Sequence, residues 1–445
     1  MTQTTKKDSW SSLLSFVWVA AGAAIGLGNI WKFPYMAGNS GGSAFVLCYL
    51  FFVFLVAAPI MAAEFFLGVS SRKNPIDAFL SLAKANNLSK NWAITGYLGL
   101  FTLWAVFCFY SVVAGFSLAY ILFSLQNKFY GLNPEQIQTV WQDFLSNTPF
   151  VLICSILFIF FTMSVVFFGI KKGIEKSCSL MMPALLVLLS ILVIYGFFTP
   201  GFFKACTFLF SFDISKLSSS VILSALGHAF FTLAVGACAM MVYGAYLPKN
   251  ISIFKSVFII TLLDLLVALL SGLAIFPLIF AHDLSPSSGP GLMFISLPVI
   301  FASMPFGSLL SLAFFILLFF AALSSSISFA EPLVFLLIDK FNIKRNKSVL
   351  IIGTLVIIGS TFCSLSFNLL NTIKIFNKWN IFDFFADIST NLLLPIGGLL
   401  IAVFAYKVIK IKNNLLFKIW QFLIIFISPI AILAILFHGF LEIIS

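Results

Sequence analysis

Residues 17–34 read VWVAAGAAIGLGNIWKFP. Gly22, Gly26 and Gly28 sit among small residues, with Asn29, Lys32 and Pro34 close behind. Each glycine weakens a helix interior by about 1 kcal/mol. Glycines alone would equally suit close packing of helices through small residues. An Asn and a Lys in the same apolar run favour another outcome, in which the helix loses its winding here. Backbone groups freed inside an apolar layer must face protein, water or a ligand. The stretch therefore predicts a binding site built from bare carbonyls and amides.

The rest of the chain makes lipid the solvent of that stretch. Of 445 residues, 61% are hydrophobic and 9% charged, and the mean hydropathy is +1.13. A soluble domain carries about 25% charged residues, so this chain cannot cover a water-facing surface. Eleven apolar runs stand out, near 13–38, 43–70, 93–125, 149–169, 177–198, 221–246, 255–281, 306–338, 347–367, 383–406 and 416–441. Each suits the roughly 20 residues of a transmembrane helix, and none shows the short alternation of a barrel strand. The first run is long and lacks a small-residue cleavage site, so it is read as a retained span. Seven scattered cysteines and three distant histidines argue against a disulfide framework or a metal cluster.

Lys and Arg set the orientation. With the amino terminus cytoplasmic, the inner segments carry two basic residues before the first span, four at 72–90, three at 171–176, two at 249–255, four at 340–347 and four at 407–418. The outer segments carry Lys128, Lys204, Lys216, Lys374 and Lys378. This bias predicts an amino terminus inside and a carboxyl terminus outside. The net charge of +11 then faces the anionic inner leaflet, and no nucleic acid is needed to explain it.

A second interruption is legible in the sixth run, LGHAFFTLAVGACAMMVYGAY at 226–246, where Gly227, His228, Thr232 and Gly236 cluster near the middle. Paired interrupted helices in corresponding positions point to a transporter site at a repeat interface. The expected fold is an all-α membrane protein. A cytoplasmic segment 1–12 precedes a five-helix repeat at 13–198, an inverted repeat at 221–406 and an eleventh helix at 416–441, with helices 1 and 6 discontinuous. Of the outer loops, 282–305 holds SPSSGPG and an apolar stretch, LMFISLPVIF, that needs a surface to pack on; a partly ordered lid is expected there.

Ser9 to Phe45, SWSSLLSFVWVAAGAAIGLGNIWKFPYMAGNSGGSAF, resembles the signature of the neurotransmitter:sodium symporter family, in particular its bacterial amino-acid transporters. The likeness continues in order through PIMAAEFFLG at 59–68, FYSVVAG at 109–115, FFTLAVG at 230–236, DLLVALLSGLAIFP at 264–277 and FAALSSSISFAEP at 320–332. It implies the leucine-transporter-like fold and sodium-coupled uptake of an L-amino acid by alternating access in a bacterial inner membrane, by a monomer or weak homodimer. Two sodium ions are implied. The first site would use the Ala24 carbonyl, Asn29, Thr232 and Asp264; the second, carbonyls of Gly22, Ile25 and Ala321 with the hydroxyls of Ser324 and Ser325. Many animal members carry Asn at the position of Asp264 and need chloride. The carboxylate here implies chloride independence, since an intramembrane acid is by default functional. His228 replaces a glutamine of chloride-dependent members and is a candidate partner of Asp264.

The substrate pocket implied by the resemblance comprises Ala23, Ala24, Gly26, Leu27, Gly28, Val106, Tyr110, Phe230, Phe231, Thr232, Ala234, Ala237, Ser325 and Phe329. Gly26 stands where monoamine carriers hold an acid, which favours an α-amino acid. The small Ala234 and Ala237 beside aromatic walls favour a bulky hydrophobic or aromatic side chain. Lys32 and Asp383 would form the outer gate, with Phe230 and Tyr110 closing over the substrate. Lys7, Trp10, Tyr246 and Asp339 would form the inner gate. Glu64 is read as a buried partner of the unwound first span, and the Gly173–Pro183 spacing as a site where the fifth helix can unwind. The main alternative is an amino-acid sensor on the same fold that does not transport. A channel would want a continuous polar pore, and no nucleophile–base pair or HExxH motif suggests an enzyme.

Overall fold

The computed structural model describes residues 9–248, 251–282, 284, 291–409 and 414–444. Nine of its helices are long and apolar enough to cross a membrane: Ser43–Ser71, Lys90–Leu125, Thr148–Phe167, Ile170–Phe197, Ile253–Ala281, Gly307–Phe341, Arg345–Leu365, Ile381–Val408 and Leu415–Phe437. Leu13–Ala24 and Gly28–Asn39, bent by 51°, make one broken span. Ser219–Thr232 and Ala239–Ala245 flank a break at 233–238 and make another. Eleven crossings result among the described residues, with the two interruptions in the first and sixth.

Proline punctuates these helices in a regular way. Wide helical turns at Gly28–Lys32, Val53–Ala57, Leu292–Ser296, Ile388–Leu393 and Leu423–Ile427 end just before Pro34, Pro59, Pro298, Pro395 and Pro429. A proline offers no amide, and its ring collides with the carbonyl four residues back. Widening the turn moves that carbonyl aside and lets the helix continue. One wide turn, Ile170–Glu175, has no proline at its end. It contains Gly173, where a Cβ would collide with the carbonyl oxygen of Val165, so the fifth span starts pressed against the end of the fourth.

The third and eighth spans are the long central pillars, packed along one another, and the first span lies against the fifth, seventh and eighth. Side chains around the breaks are buried, whereas Phe160, Leu180, Phe198, Phe203 and Leu350 project outward, as suits a lipid-facing surface. Within the loop expected to form a lid, residues 283 and 285–290 lie outside the described set. The following helix, Leu297–Ser303, packs on the eighth span, and its preceding wide turn, Leu292–Ser296, reaches the third. There the Tyr120 hydroxyl donates to the Phe294 carbonyl at 2.7 Å, and the Phe294 ring stacks on Trp141 at 5.4 Å.

Candidate substrate and ion sites

Both breaks are held open by specific contacts. In the first span, Ile25 turns into an extended conformation at φ −77°, ψ 102°. The freed Gly26 amide donates to Asn29 Oδ1 at 3.1 Å, and the Leu27 amide to the Tyr110 hydroxyl at 3.2 Å. In the sixth span, Ala234, Gly236 and Cys238 take positive φ values of 49°, 94° and 64°. Gly236 is required there twice over. Its φ suits glycine, and a Cβ would collide with the carbonyl oxygen of Leu394 in the tenth span.

The Glu64 carboxylate, fully buried, accepts the Gly236 amide on Oε1 at 2.7 Å and the Met241 amide on Oε2 at 3.2 Å. It therefore serves the break of the sixth span, not the first. The sequence shows that this acid must be paired, but not with which of two unwound segments.

A cavity lies between the breaks. It is lined by Ala23, Ala24, Gly26, Gly28, Val106, Tyr110, Phe231, Ala234, Ala237, Ser325 and Phe329, together with Leu103 and Leu394. Its walls are apolar and aromatic, with the Tyr110 and Phe329 rings edge to face at 5.2 Å. Three pocket residues named from the resemblance fall outside this lining. Leu27 contributes its amide to Tyr110. Thr232 turns its hydroxyl to Asp264. Phe230 is fully buried against the tenth span, where a Cβ on Gly398 would stand 2.7 Å from its ring. The aromatic that faces the cavity is Phe231, and the Lys32 ammonium sits 4.3 Å from its ring centre. Phe230 is thus corrected to Phe231 as the ring beside Tyr110.

Behind the cavity, Asp264 Oδ1 accepts from Asn29 Nδ2 at 2.8 Å and from the Thr232 hydroxyl at 3.0 Å. Its Oδ2 accepts from the Tyr49 hydroxyl at 3.0 Å. All four side chains are buried, and no cationic side chain is ion-paired with Asp264 among the described residues. A buried carboxylate held only by neutral donors lacks a countercharge. With the neighbouring oxygens it suits a hard monovalent cation. No group of three His, Cys, Asp or Glu that could hold a metal occurs among the described residues. Tyr49 is absent from the sequence reading, because a lone Tyr in an apolar helix carries no local signal.

The second oxygen cluster joins the first and eighth spans. Ser325 Oγ lies 3.1 Å from the Gly22 carbonyl and 3.3 Å from that of Ile25. Ser324 Oγ lies 3.1 Å from the Ala321 carbonyl and 3.5 Å from that of Ile25. Gly26 controls this arrangement. A Cβ there would collide with Ser325 Oγ and stand 2.8 Å from the Tyr110 hydroxyl. Gly26→Ala is expected to push the serine off both carbonyls and to raise the sodium concentration for half-maximal substrate binding about tenfold, the loss of one or two hydrogen-bond-sized interactions. A sodium titration of ligand binding measures it, and an unchanged midpoint would refute the role.

His228 does not reach Asp264. Neither ring nitrogen has a hydrogen-bond partner among the described residues. The imidazole packs instead on Tyr49 at 5.0 Å, Phe45 at 5.8 Å and Phe33 at 6.1 Å, so the Tyr49 ring separates it from the carboxylate.

The gates also differ from expectation. Lys32 shares an outer cavity with Asp387, Thr390 and Asn391, and Asp387 is the carboxylate whose charge reaches it. Asp383, one helical turn earlier, is near Lys374 instead. Asp387→Asn is therefore expected to cut uptake about three- to tenfold, the range for loss of a partly buried charge contact. Asp383→Asn should leave uptake within about twofold. Initial rates of both variants decide between them.

Inside, Lys7 lies outside the described residues. Trp10 donates its backbone amide to the Tyr246 carbonyl at 3.2 Å and its indole to the Tyr243 carbonyl at 3.0 Å. The Tyr246 hydroxyl goes to Glu331 at 3.0 Å, not to Asp339. Glu331 in turn forms a two-pronged ion pair with Arg345, both contacts at 2.8 Å. Asp339 accepts from the backbone and side chain of Asn74 at 2.9 and 3.0 Å, at the start of the helix Pro75–Ala85. Of the three described residues of the expected inner gate, Trp10 and Tyr246 are joined, whereas Asp339 belongs to a separate group with Asn74.

Two broken helices facing each other across a mid-membrane cavity define a secondary transporter. The family model of the sodium:neurotransmitter symporters matches residues 7–143 and 144–444. The chain is 36% identical to the sodium-dependent transporter YhdH of Bacillus subtilis over 96% of both chains. It is 32% identical to a sodium-dependent transporter of Haemophilus influenzae over 98% of both. Its fold superposes on the crystal structure of MhsT in complex with L-phenylalanine with a TM-score of 0.88, at 36% identity over 97% of this chain and 99% of that one. The chain belongs to the sodium:neurotransmitter symporter family and is a sodium-dependent transporter, not an enzyme.

Proposed function

We propose that this transporter takes up an L-amino acid with a bulky hydrophobic or aromatic side chain, coupled to two sodium ions and without chloride. The observation that carries the reading is the buried Asp264 carboxylate, bound among the described residues only by the neutral donors Asn29, Thr232 and Tyr49, beside an apolar cavity edged by freed backbone of the first span. A cation there would neutralise Asp264 and meet the substrate carboxylate, so each would strengthen the other's binding. The Leu27 amide and Tyr110 hydroxyl would hold the same carboxylate, and carbonyls of the sixth-span break the ammonium. Phe231, Phe329, Ala234 and Ala237 would receive the side chain. MhsT, with which the chain shares 36% identity, binds L-phenylalanine, which supports this substrate class. The second sodium would sit among Gly22, Ile25, Ala321, Ser324 and Ser325.

Alternating access would rock the repeats 13–198 and 221–406 against each other in a bacterial inner membrane, amino terminus inside and carboxyl terminus outside. Uptake of radiolabelled amino acids into proteoliposomes tests the whole reading. An inward sodium gradient should drive accumulation of Phe, Leu, Trp, Tyr or Met, and replacing chloride by gluconate should not change the rate. Equal uptake with potassium replacing sodium would overturn sodium coupling. Sodium-dependent binding without accumulation would favour a sensor.

A further inference from the structure

We propose that the groove between the fourth and ninth spans, Thr148–Phe167 and Arg345–Leu365, is a binding site for one acyl chain of an anionic glycerophospholipid, whose headgroup is held by lysines at its mouth. The groove has a volume of about 540 Å³, and its floor and rims include Met163, Gly353, Phe160, Phe168 and Leu350. Phe160, Phe168 and Leu350 stand 63%, 64% and 71% exposed, so the rims project from the helices while Gly353 leaves the floor open. The hydroxyls in the lining are already satisfied: Ser164 donates to the Phe160 carbonyl at 2.7 Å and Thr354 to the Leu350 carbonyl at 2.9 Å. Apart from Asn346, next to Arg345 at one end, the surface offered is therefore hydrocarbon. From Ile156 to Phe168 it runs about 18 Å at helical rise, close to half of the roughly 30 Å hydrocarbon core, so it matches one leaflet's chain.

Charge at one end selects the headgroup. Arg345 Nη1 donates to the Val166 carbonyl at 2.9 Å and staples the two helix ends together at the mouth. Lys171 and Lys172 lie in the first turn of the fifth span, four and five residues past the end of the fourth, and Lys344 and Lys347 flank Arg345; all four are exposed. No Asp or Glu occurs in residues 148–174 or 341–380; of the nearest acids, Glu331 is spent on Arg345 and Glu175 accepts the Ser11 amide, so the lysines leave a net positive charge at this end. Basic clusters where a span leaves the hydrocarbon attract anionic headgroups. A zwitterionic lipid would fill the groove without using the lysines.

Native mass spectrometry of the full-length protein, taken from micelles holding equal amounts of dioleoyl phosphatidylglycerol and dioleoyl phosphatidylcholine, tests this. Lipid presented from micelles makes the readout independent of the direction in which the chain crosses the bilayer. The wild type should retain one phosphatidylglycerol per chain, in at least about tenfold preference. Replacing Lys171, Lys172, Lys344 and Lys347 by Gln should bring that preference below about twofold, and their replacement by Arg should keep it. Gly353→Leu should displace both lipids. A Cβ at Gly353 would lie 3.5 Å from Met163 Cγ, an ordinary contact, so the helix pair tolerates a side chain starting there, and a melting temperature in detergent close to wild type checks that Gly353→Leu is folded. Equal retention of the two lipids by the wild type, retention unaffected by the Gln substitutions, or a dimer lost in Gly353→Leu in place of bound lipid would each overturn the proposal.

Discussion

Asp264→Ala is expected to abolish sodium-dependent substrate binding, by a factor of about 100 or more in affinity. The change strips Asn29, Thr232 and Tyr49 of the one acceptor they share in a site with no exposure to solvent. Breaking a buried charged network typically costs about 3–5 kcal/mol, and every 1.4 kcal/mol is about tenfold in affinity. Asp264→Asn separates charge from shape. It keeps one oxygen for hydrogen bonding but supplies no negative charge. Its sodium-dependent uptake should fall and should become stimulated by chloride, whereas the wild type should respond equally to chloride and gluconate. Binding of radioactive sodium in a scintillation assay, with uptake in the two anions, measures both effects. If Asp264→Ala bound sodium and substrate within about threefold of wild type, the carboxylate would be a packing group and the coupling scheme would fail.

Glu64→Ala carries the second large effect, and it acts through backbone alone. The carboxylate's partners are backbone amides of the sixth-span break, Gly236 and Met241 foremost, with Cys238 and Met240 also contributing. Removing it leaves two buried donors unsatisfied, at about 1–3 kcal/mol each. The sixth-span break is the least regular backbone in the membrane domain, with three positive φ values within five residues. That cost therefore falls on the segment that faces the substrate. Substrate affinity should drop at least about 30-fold, together with a lower melting temperature in detergent. Glu64→Gln retains an acceptor oxygen and should lose about tenfold or less. A variant Glu64→Ala with normal affinity and normal melting would show that the break is held by packing, such as the backbone contact of Gly236 with Leu394 and Gly397.

Much of this architecture is local information. Apolar length defines the spans, and the glycines and polar residues at 22–29 and 227–236 mark both interruptions, because a helix interior penalises them wherever they occur. Prolines 34, 59, 298, 395 and 429 follow the wide turns, but Pro183, Pro277 and Pro332 sit inside α-helices, so a proline alone does not place one. Hydroxyl and amide side chains set in apolar runs, such as Asn29, Thr232, Ser324 and Ser325, are costly to bury, so they are legible as site residues before any packing is known.

What stayed hidden in the sequence is whatever depends on rotation and register between helices. Phe230 and Phe231 are neighbours about 100° apart on a helix, so only packing against Gly398 decides which ring faces the cavity. Asp383 and Asp387 lie four residues apart on one face; the height of the tenth span relative to Lys32 chooses Asp387. Tyr49 joins Asp264 across 215 residues, and Arg345 meets Glu331 across the turn between two spans. Composition and local winding thus determined where the chain crosses the membrane and where it breaks. Partner choice was settled only in three dimensions, because a hydrogen bond or ion pair is made at about 3 Å, whereas a residue's sequence position leaves its distance to other helices undefined by many times that length.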